Sequence, residues 1–272
     1  MICFPNAKIN LGLNIISRRG DGYHNLETLF YPIGLRDGLE IVPSGREEDF
    51  RLFQTGATIQ GDMDDNLVIK ALKLISEEKK IPGIDIHLFK KIPFGAGLGG
   101  GSSDAAFMLK LLNDIQHLGL STSQLEHYAA QLGADCAFFI HNRPLLAFEK
   151  GDRFQVVDFS LKGLFLVLLI PKNIRISTRE AYAGIKPVKP GYKLTDCISK
   201  PPEYWKDCLV NDFEKTVFVL NPELLHIKQA LYEAGALYAS MSGSGSSIFG
   251  LFRAECDLQD VFPDCYYWSE KL

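Results

Sequence analysis

Between a strand-patterned run and a helix-patterned run, residues 93–103 read PFGAGLGGGSS, five glycines and two serines in eleven positions. That is the sequence form of a phosphate cradle. Glycine takes left-handed backbone angles and lets amide N–H groups approach an anion without a side chain in the way. A helix behind such a loop adds its own free N–H groups and its dipole. Upstream, Ile84, Ile86 and Leu88 alternate with Asp85 and His87 at the period of a strand. Downstream, Ser102 or Ser103 is placed to cap a helix carrying Ala105, Ala106, Met108, Leu109 and Leu112.

Spacing separates the competing readings of this loop. No Gly-Lys-Ser or Gly-Lys-Thr follows, so it is not a Walker A loop. Gly95, Gly97 and Gly100 form a G-x-G-x-x-G, but a dinucleotide fold needs a second strand ending in an acidic residue about 20 residues on. The chain there reads His117, Leu118, Gly119, Leu120, Ser121. A flexible linker would be polar and flanked by weak structure, whereas this segment joins a patterned strand to a patterned helix. The favoured reading is a phosphate-binding strand-loop-helix.

A formal net charge of -4 gives no basic field for nucleic acid, so any phosphate is held locally. The 272 residues, 46% hydrophobic, suit a soluble globular chain of two domains. Cys3, Cys136, Cys197, Cys208, Cys256 and Cys265 form no C-x-x-C pair and no zinc spacing, and read as buried thiols of a reducing cytosol. Asn6, Lys8, Asn10 and Asn14 interrupt any signal-peptide core. The longest apolar run, residues 163–170, is far short of the roughly 20 residues a spanning helix needs. A cytoplasmic protein with no membrane or nucleic-acid partner is expected.

Residues 7–16 alternate as a half-buried strand with Lys8 and Asn10 on its polar face, about 6.5–7 Å apart. By itself that lysine is most simply a solvated side chain. Asp21-Gly22 marks a hairpin, with Tyr23 and His24 just past it, suited to rim packing or to a flat heterocycle. Strands are expected over 26–31, 39–42 and 49–54, then an acidic turn ending at Asn66, which caps a helix over 67–78. Ser123 and Glu126 form a capping box for a helix that stops at Gly133. Asp135 then admits two readings of equal weight, the next helix cap or a carboxylate able to accept a hydroxyl proton.

A boundary is expected between Gly151 and Gly163. Beyond it the order is strand (164–170), helices (178–184 and around 205–220), a helix over 222–234 capped by Asn221, strands at 236–241 and 247–252, a short helix and a last strand near Tyr266. This β-α-β-β-α-β order is the split ferredoxin-like motif with an extra helix. The loop Ser242-Gly243-Ser244-Gly245-Ser246 reads as a hairpin turn, with the alternative that it faces a nucleotide.

Several stretches together resemble one family. Lys8 to Asn10 in PNAKINLGL, the turn from Gly20 to His24, PFGAGLGGGSSDAA, LGAD at 132–135, Asn211-Asp212-Phe213-Glu214 and MSGSGSSIF from Met241 are similar to the small-molecule kinases named for galactose, homoserine, mevalonate and phosphomevalonate, the GHMP kinases. The likeness spans nearly the whole chain. The loop is specific to the superfamily, and AKINLGL with DGYH to one member acting on a cytidine diphosphate ester. The resemblance implies an α+β, two-domain fold: an S5-like α/β ATP-binding domain over 1–157 and a ferredoxin-like α/β domain over 158–272. It implies ATP and Mg2+ as cofactors, without naming the metal's ligands, and a monomer or weak homodimer.

By the same resemblance Pro93, Phe94, Gly95, Ala96, Gly97, Leu98, Gly99, Gly100, Gly101, Ser102 and Ser103 would bind the ATP phosphates, with Asn66, Leu67 and Lys90 near the adenosine. Lys8 and Asp135 would be the catalytic pair, the lysine stabilising charge on the acceptor oxygen and the aspartate taking its proton. Asn10 would orient the substrate, cytidine-diphosphate methylerythritol; Tyr23 and His24 would hold its cytosine, Tyr182 would stack on the other face, and Thr178 would lie beside it. The chain departs from the family where Cys136 and Ala137 replace Val-Pro. A homoserine- or mevalonate-type kinase would have no use for Tyr23, His24 and Tyr182 as a set, and a non-catalytic nucleotide binder should have lost Lys8 or Asp135.

Overall fold

The computed structural model describes residues 1–46, 49–57 and 65–272, so the acidic turn before Asn66 lies almost wholly outside the described residues. The strands are β1 (Ile2–Cys3), β2 (Asn6–Arg18), β3 (His24–Arg36), β4 (Gly38–Pro43), β5 (Phe50–Gly56), β6 (Ile84–Lys90), β7 (Leu145–Glu149), β8 (Arg153–Val156), β9 (Phe165–Pro171), β10 (Tyr238–Met241), β11 (Ile248–Phe252) and β12 (Cys265–Lys271). The helices are α1 (Leu67–Ser76), α2 (Gly100–Ile115), α3 (Thr122–Leu132), α4 (Cys136–His141), α5 (Thr178–Ala183), α6 (Leu194–Ile198), α7 (Glu214–Leu220) and α8 (Pro222–Glu233). Among the described residues no helix is long and apolar enough to cross a membrane.

Packing divides the chain into two compact units. One comprises Met1–Lys8, Leu35–Phe94 and Gly99–Arg143, the other Ile9–Gly34, Gly95–Leu98 and Pro144–Leu272. The division does not follow a single cut near residue 157, because β2 and β3 join β7 and β8 in one sheet, in the order β2-β3-β7-β8.

In the first unit the sheet order is β1-β4-β6-β5, with β5 parallel to β6 and the other pairs antiparallel. Leu39 opposite Leu88 and Ile41 opposite Ile86 put the buried residues of β4 and β6 in register. Val68, Leu72 and Ile75 of α1 and Met108, Leu109 and Leu112 of α2 are buried with them, each contributing on the order of 1.5–3 kcal/mol by leaving water. Asn66 caps α1 as expected, its Oδ1 accepting from Val68 N at 2.9 Å. The cap of α2 is Gly99 rather than a serine: its left-handed φ of 72° starts the helix early, so Ser102 and Ser103 fall inside it. The capping box of α3 is Ser121 with Gln124, two residues before the expected one. Asn113 decides that register by accepting from Leu120 N at 2.8 Å and donating to Leu120 O at 3.2 Å, which turns the chain just ahead of Ser121.

In the second unit a wholly antiparallel sheet runs β10-β11-β9-β12, the strand order of the ferredoxin-like motif. Its core joins Val167, Leu169, Met241 and Ile248 of the sheet to Leu224, Ile227 and Leu231 of α8. The helix expected over 205–220 is broken. A 3-10 turn over Pro202–Asp207 precedes α7, and between them Leu13 donates to Val210 O while Asp212 N donates to Leu13 O, both at 2.8 Å. Those strand-like bonds take the backbone groups a continuous helix would need. Asn221 precedes Pro222 as expected, but its side chain does not cap α8 and donates back to Val217 O at 3.3 Å.

The strand β2 is not half-buried. Every residue from Asn6 to Ile15 is buried, on both faces, so Lys8 and Asn10 lie inside the protein instead of on a solvated face.

Candidate active site

In the first unit, β2 carries Lys8 inward and Gly133 ends α3 two residues before Asp135. Lys8 Nζ stands 3.5 Å from Asp135 Oδ2, the lysine side chain 3% exposed and the aspartate 34%. Asp135 occupies the N-terminal boundary of α4 but its side chain makes no bond to the helix amides. The cap reading therefore fails, and the carboxylate faces the ammonium. Burial lowers the lysine's pKa, against the charge and hydrogen bond of Asp135. Gly99 packs against the lysine stem: a Cβ there would lie 3.0 Å from the Phe139 ring and 3.3 Å from Lys8 Cε.

Cys136 and Ala137 are buried within a regular α4, so the departure from Val-Pro leaves the turn at Asp135 formed. Burial pushes the Cys136 thiol up to about 12, with a hydrogen bond from Ser102 opposing, and the thiol stays protonated.

The loop uses left-handed backbone at Gly95, Gly97 and Gly99, with φ of 69°, 75° and 72°. In the second unit a Cβ at Gly97 would collide with the Ser242 carbonyl. Ser242 Oγ donates to Gly97 O at 3.0 Å and accepts from Asn10 N at 3.2 Å, while Asn10 Nδ2 donates to Thr28 Oγ1 at 2.9 Å. Residues 242–246 thus join β10 to β11 as a hairpin and also grip Gly97. Asn211 Nδ2 braces them by donating to Met241 O and Gly243 O, both at 2.8 Å. Ser242 carried no signal of its own beyond its place in the second Gly/Ser run.

At the start of α2, Ser103 Oγ is buried with no hydrogen-bond partner. Leu67 reaches this turn, its Cδ1 3.7 Å from where a Cβ on Gly101 would stand. Lys90, expected near adenosine, is buried, and its ammonium is enclosed by Asp37 and by Asp104, the latter at 2.6 Å. Among the described residues no group of three or more His, Cys, Asp or Glu side chains is arranged to hold a metal. A Mg2+ arriving with ATP takes most of its ligands from phosphates and water. One protein oxygen such as the orphaned Ser103 hydroxyl fits that demand.

In the second unit, Tyr23 is 62% exposed with Lys150 Nζ 5.3 Å from its ring centroid. His24 and Tyr182 stack directly, centroids 4.7 Å apart and planes 18° from parallel, leaving no space for a third ring between them. Phe213 braces Tyr182 edge-on at 4.8 Å. Burial, then the charge of Arg18, lowers the His24 pKa and favours neutral imidazole. Thr178, at the start of α5, lies 3.4 Å from Ser244 Oγ.

The GHMP kinase N-terminal model matches residues 66–143, which include the loop and Asp135, and the GHMP kinase C-terminal model matches residues 199–261. The 4-diphosphocytidyl-2-C-methyl-D-erythritol kinase of Parabacteroides distasonis is 52% identical over 100% of both chains. That of Bacteroides thetaiotaomicron is 55% identical over 96% of this chain and 95% of its own. The chain belongs to the 4-diphosphocytidyl-2-C-methyl-D-erythritol kinases within the GHMP kinases. A crystal structure of 4-(cytidine 5'-diphospho)-2C-methyl-D-erythritol kinase, 31% identical, superposes with a TM-score of 0.82 over 99% of this chain and 98% of that one. A homoserine kinase from Cytophaga hutchinsonii, 19% identical with a TM-score of 0.70 over 97% of this chain and 93% of its own, shares the fold.

Proposed function

We propose that this chain transfers the γ-phosphoryl group of ATP to the 2-hydroxyl of 4-diphosphocytidyl-2-C-methyl-D-erythritol, a step of non-mevalonate isoprenoid synthesis, with Lys8 and Asp135 acting on the reacting oxygen. The carrying observation is the buried Lys8 beside the part-exposed Asp135, with the lysine stem against Gly99 of the loop. In the transfer the acceptor oxygen bonds to the γ-phosphorus, the bond from that phosphorus to the bridging oxygen breaks, and ADP leaves with the electron pair. The acceptor's proton passes to Asp135. Lys8 stabilises charge building on the oxygen, and does so strongly because it is shielded from water. Little covalent work falls to the protein; positioning and field do most of it.

Loop amides and the N-terminus of α2 hold the phosphates, with Asn66 and Leu67 toward the adenosine. Bound Mg2+ would sit by Ser103 and neutralise phosphate charge. Asn10 orients the acceptor and Thr178 flanks it. The cytosine takes the place of His24 on the Tyr182 ring, with Tyr23 alongside and the freed neutral imidazole hydrogen-bonding the base edge. Residues 1–157 are read as the ATP-binding domain and residues 158–272 as the C-terminal GHMP kinase domain.

An assay of ADP release tests the reading against three acceptors. Turnover is expected with 4-diphosphocytidyl-2-C-methyl-D-erythritol and not with mevalonate or homoserine. Robust turnover of either of the latter, with none of the first, overturns it.

A further inference from the structure

The phosphate loop has an anchor beneath it that the reaction does not consume. Lys90 at the end of β6, Asp37 in the turn between β3 and β4, and Asp104 in the second turn of α2 are each buried. The Lys90 ammonium donates to Asp37 Oδ2 and, at 2.6 Å, to Asp104 Oδ2. The other oxygen of Asp37 accepts from Lys91 N at 2.6 Å and Ile92 N at 2.8 Å, the last two amides before Pro93. On the far side of the loop, a Cβ on Gly100 would lie 3.4 Å from Lys90 Nζ and 2.9 Å from Ile92 Cγ2, so the ammonium sits against the first turn of α2.

We infer that Asp37, Lys90 and Asp104 form a positioning strut that sets the separation between the two ends of the phosphate loop and so aims its amides at the nucleotide. This rests on reading residues 93–103 as the phosphate cradle. Stability alone does not account for it. Two carboxylates and one ammonium sequestered from water are a poor way to stabilise a core, and apolar replacements of such groups are often neutral or stabilising. The set is also electrostatically unbalanced: burial, helped by the Asp37 charge and opposed by Lys90, pushes the Asp104 carboxyl up to about 7, and its Oδ1 has no partner. What the three groups do supply is direction. One carboxylate ties the loop's entry amides, and one ammonium ties that carboxylate to the helix on which the loop ends. Lys90 therefore acts through its partners and not by touching the nucleotide.

The test separates positioning from mere support. Asp37→Ala leaves both entry amides without their acceptor; the dissociation constant of a non-hydrolysable ATP analogue, read by calorimetry, should rise at least tenfold while that of the acceptor substrate stays within twofold. The triple variant Asp37→Leu, Lys90→Met, Asp104→Leu removes the buried charges and should regain melting temperature without regaining ATP affinity. A folded variant of either kind that binds the analogue as the unmodified protein does overturns the proposal. Hydrogen exchange on the unmodified protein covers the case in which neither variant folds: the Lys91 and Ile92 amides should exchange slowly without nucleotide, and rapid exchange overturns the strut. Failure of the unmodified protein to bind the analogue would sink the cradle reading instead.

Discussion

Lys8 Nζ lies 3.5 Å from Asp135 Oδ2, with the cation buried and the carboxylate about a third exposed. A helix cap would point its oxygens at the amides of α4; this one points at a lysine. Asp135→Asn keeps shape and hydrogen bonding but removes the proton acceptor. Turnover should fall about 10²–10⁴-fold, with ATP affinity and melting temperature unchanged. Near-normal kcat on the folded variant would remove Asp135 from the chemistry.

Lys8→Met should give a different signature. The lysine is sequestered from water, so replacing it with an apolar chain of similar length removes a desolvation penalty while deleting the charge the transfer needs. The expected result is a collapse of kcat with a melting temperature at or above that of the parent. A lowered melting temperature with kcat retained would make Lys8 structural.

Tyr182→Ala should weaken binding of the cytidylyl substrate while sparing ATP. Base-aromatic stacking is worth about 1–3 kcal/mol, so the loss should be roughly 5- to 150-fold in dissociation constant. Equal affinity for Tyr182→Ala, Tyr23→Ala and the parent would place the base elsewhere.

The KM for the same substrate should depend on His24. Its pKa is lowered by burial and by Arg18, so the neutral ring dominates at and above the ordinary histidine value of about 6.5. KM should be flat from there upward and should rise as acid charges the imidazole below its lowered pKa. His24→Asn cannot titrate and should flatten that acid limb; an unchanged limb would assign it to another group.

Two loop glycines make a matched comparison. Gly95 and Gly97 both have left-handed φ, at a cost of roughly 1–2 kcal/mol for alanine, but a Cβ at Gly95 meets nothing within 4 Å while one at Gly97 collides with the Ser242 carbonyl. Gly97→Ala should therefore lower the melting temperature and raise the ATP KM more than Gly95→Ala. Equal effects would mean that the grip of Ser242 on the loop is not maintained in solution.

Local pattern alone determined the elements whose signals are short-ranged. The glycine run between β6 and α2, the Asn66 cap and the β-α-β-β-α-β order of the last hundred residues could all be read from spacing, because backbone freedom, capping and strand period depend on neighbours in sequence. Reading Asp135 needed more. Its cap and base readings differ only in where its oxygens point, and that is decided by a lysine 127 positions away on β2. Tertiary structure alone decided that β2 is buried on both faces, that Ser121 rather than Ser123 opens α3, and that the chain bends at Asn211 to pair with Leu13. It also brought Asp37, Lys90 and Asp104 together. Single buried charges carry no periodic signature, and only the fold sets which of them meet, because a charge leaves water only where a partner already waits.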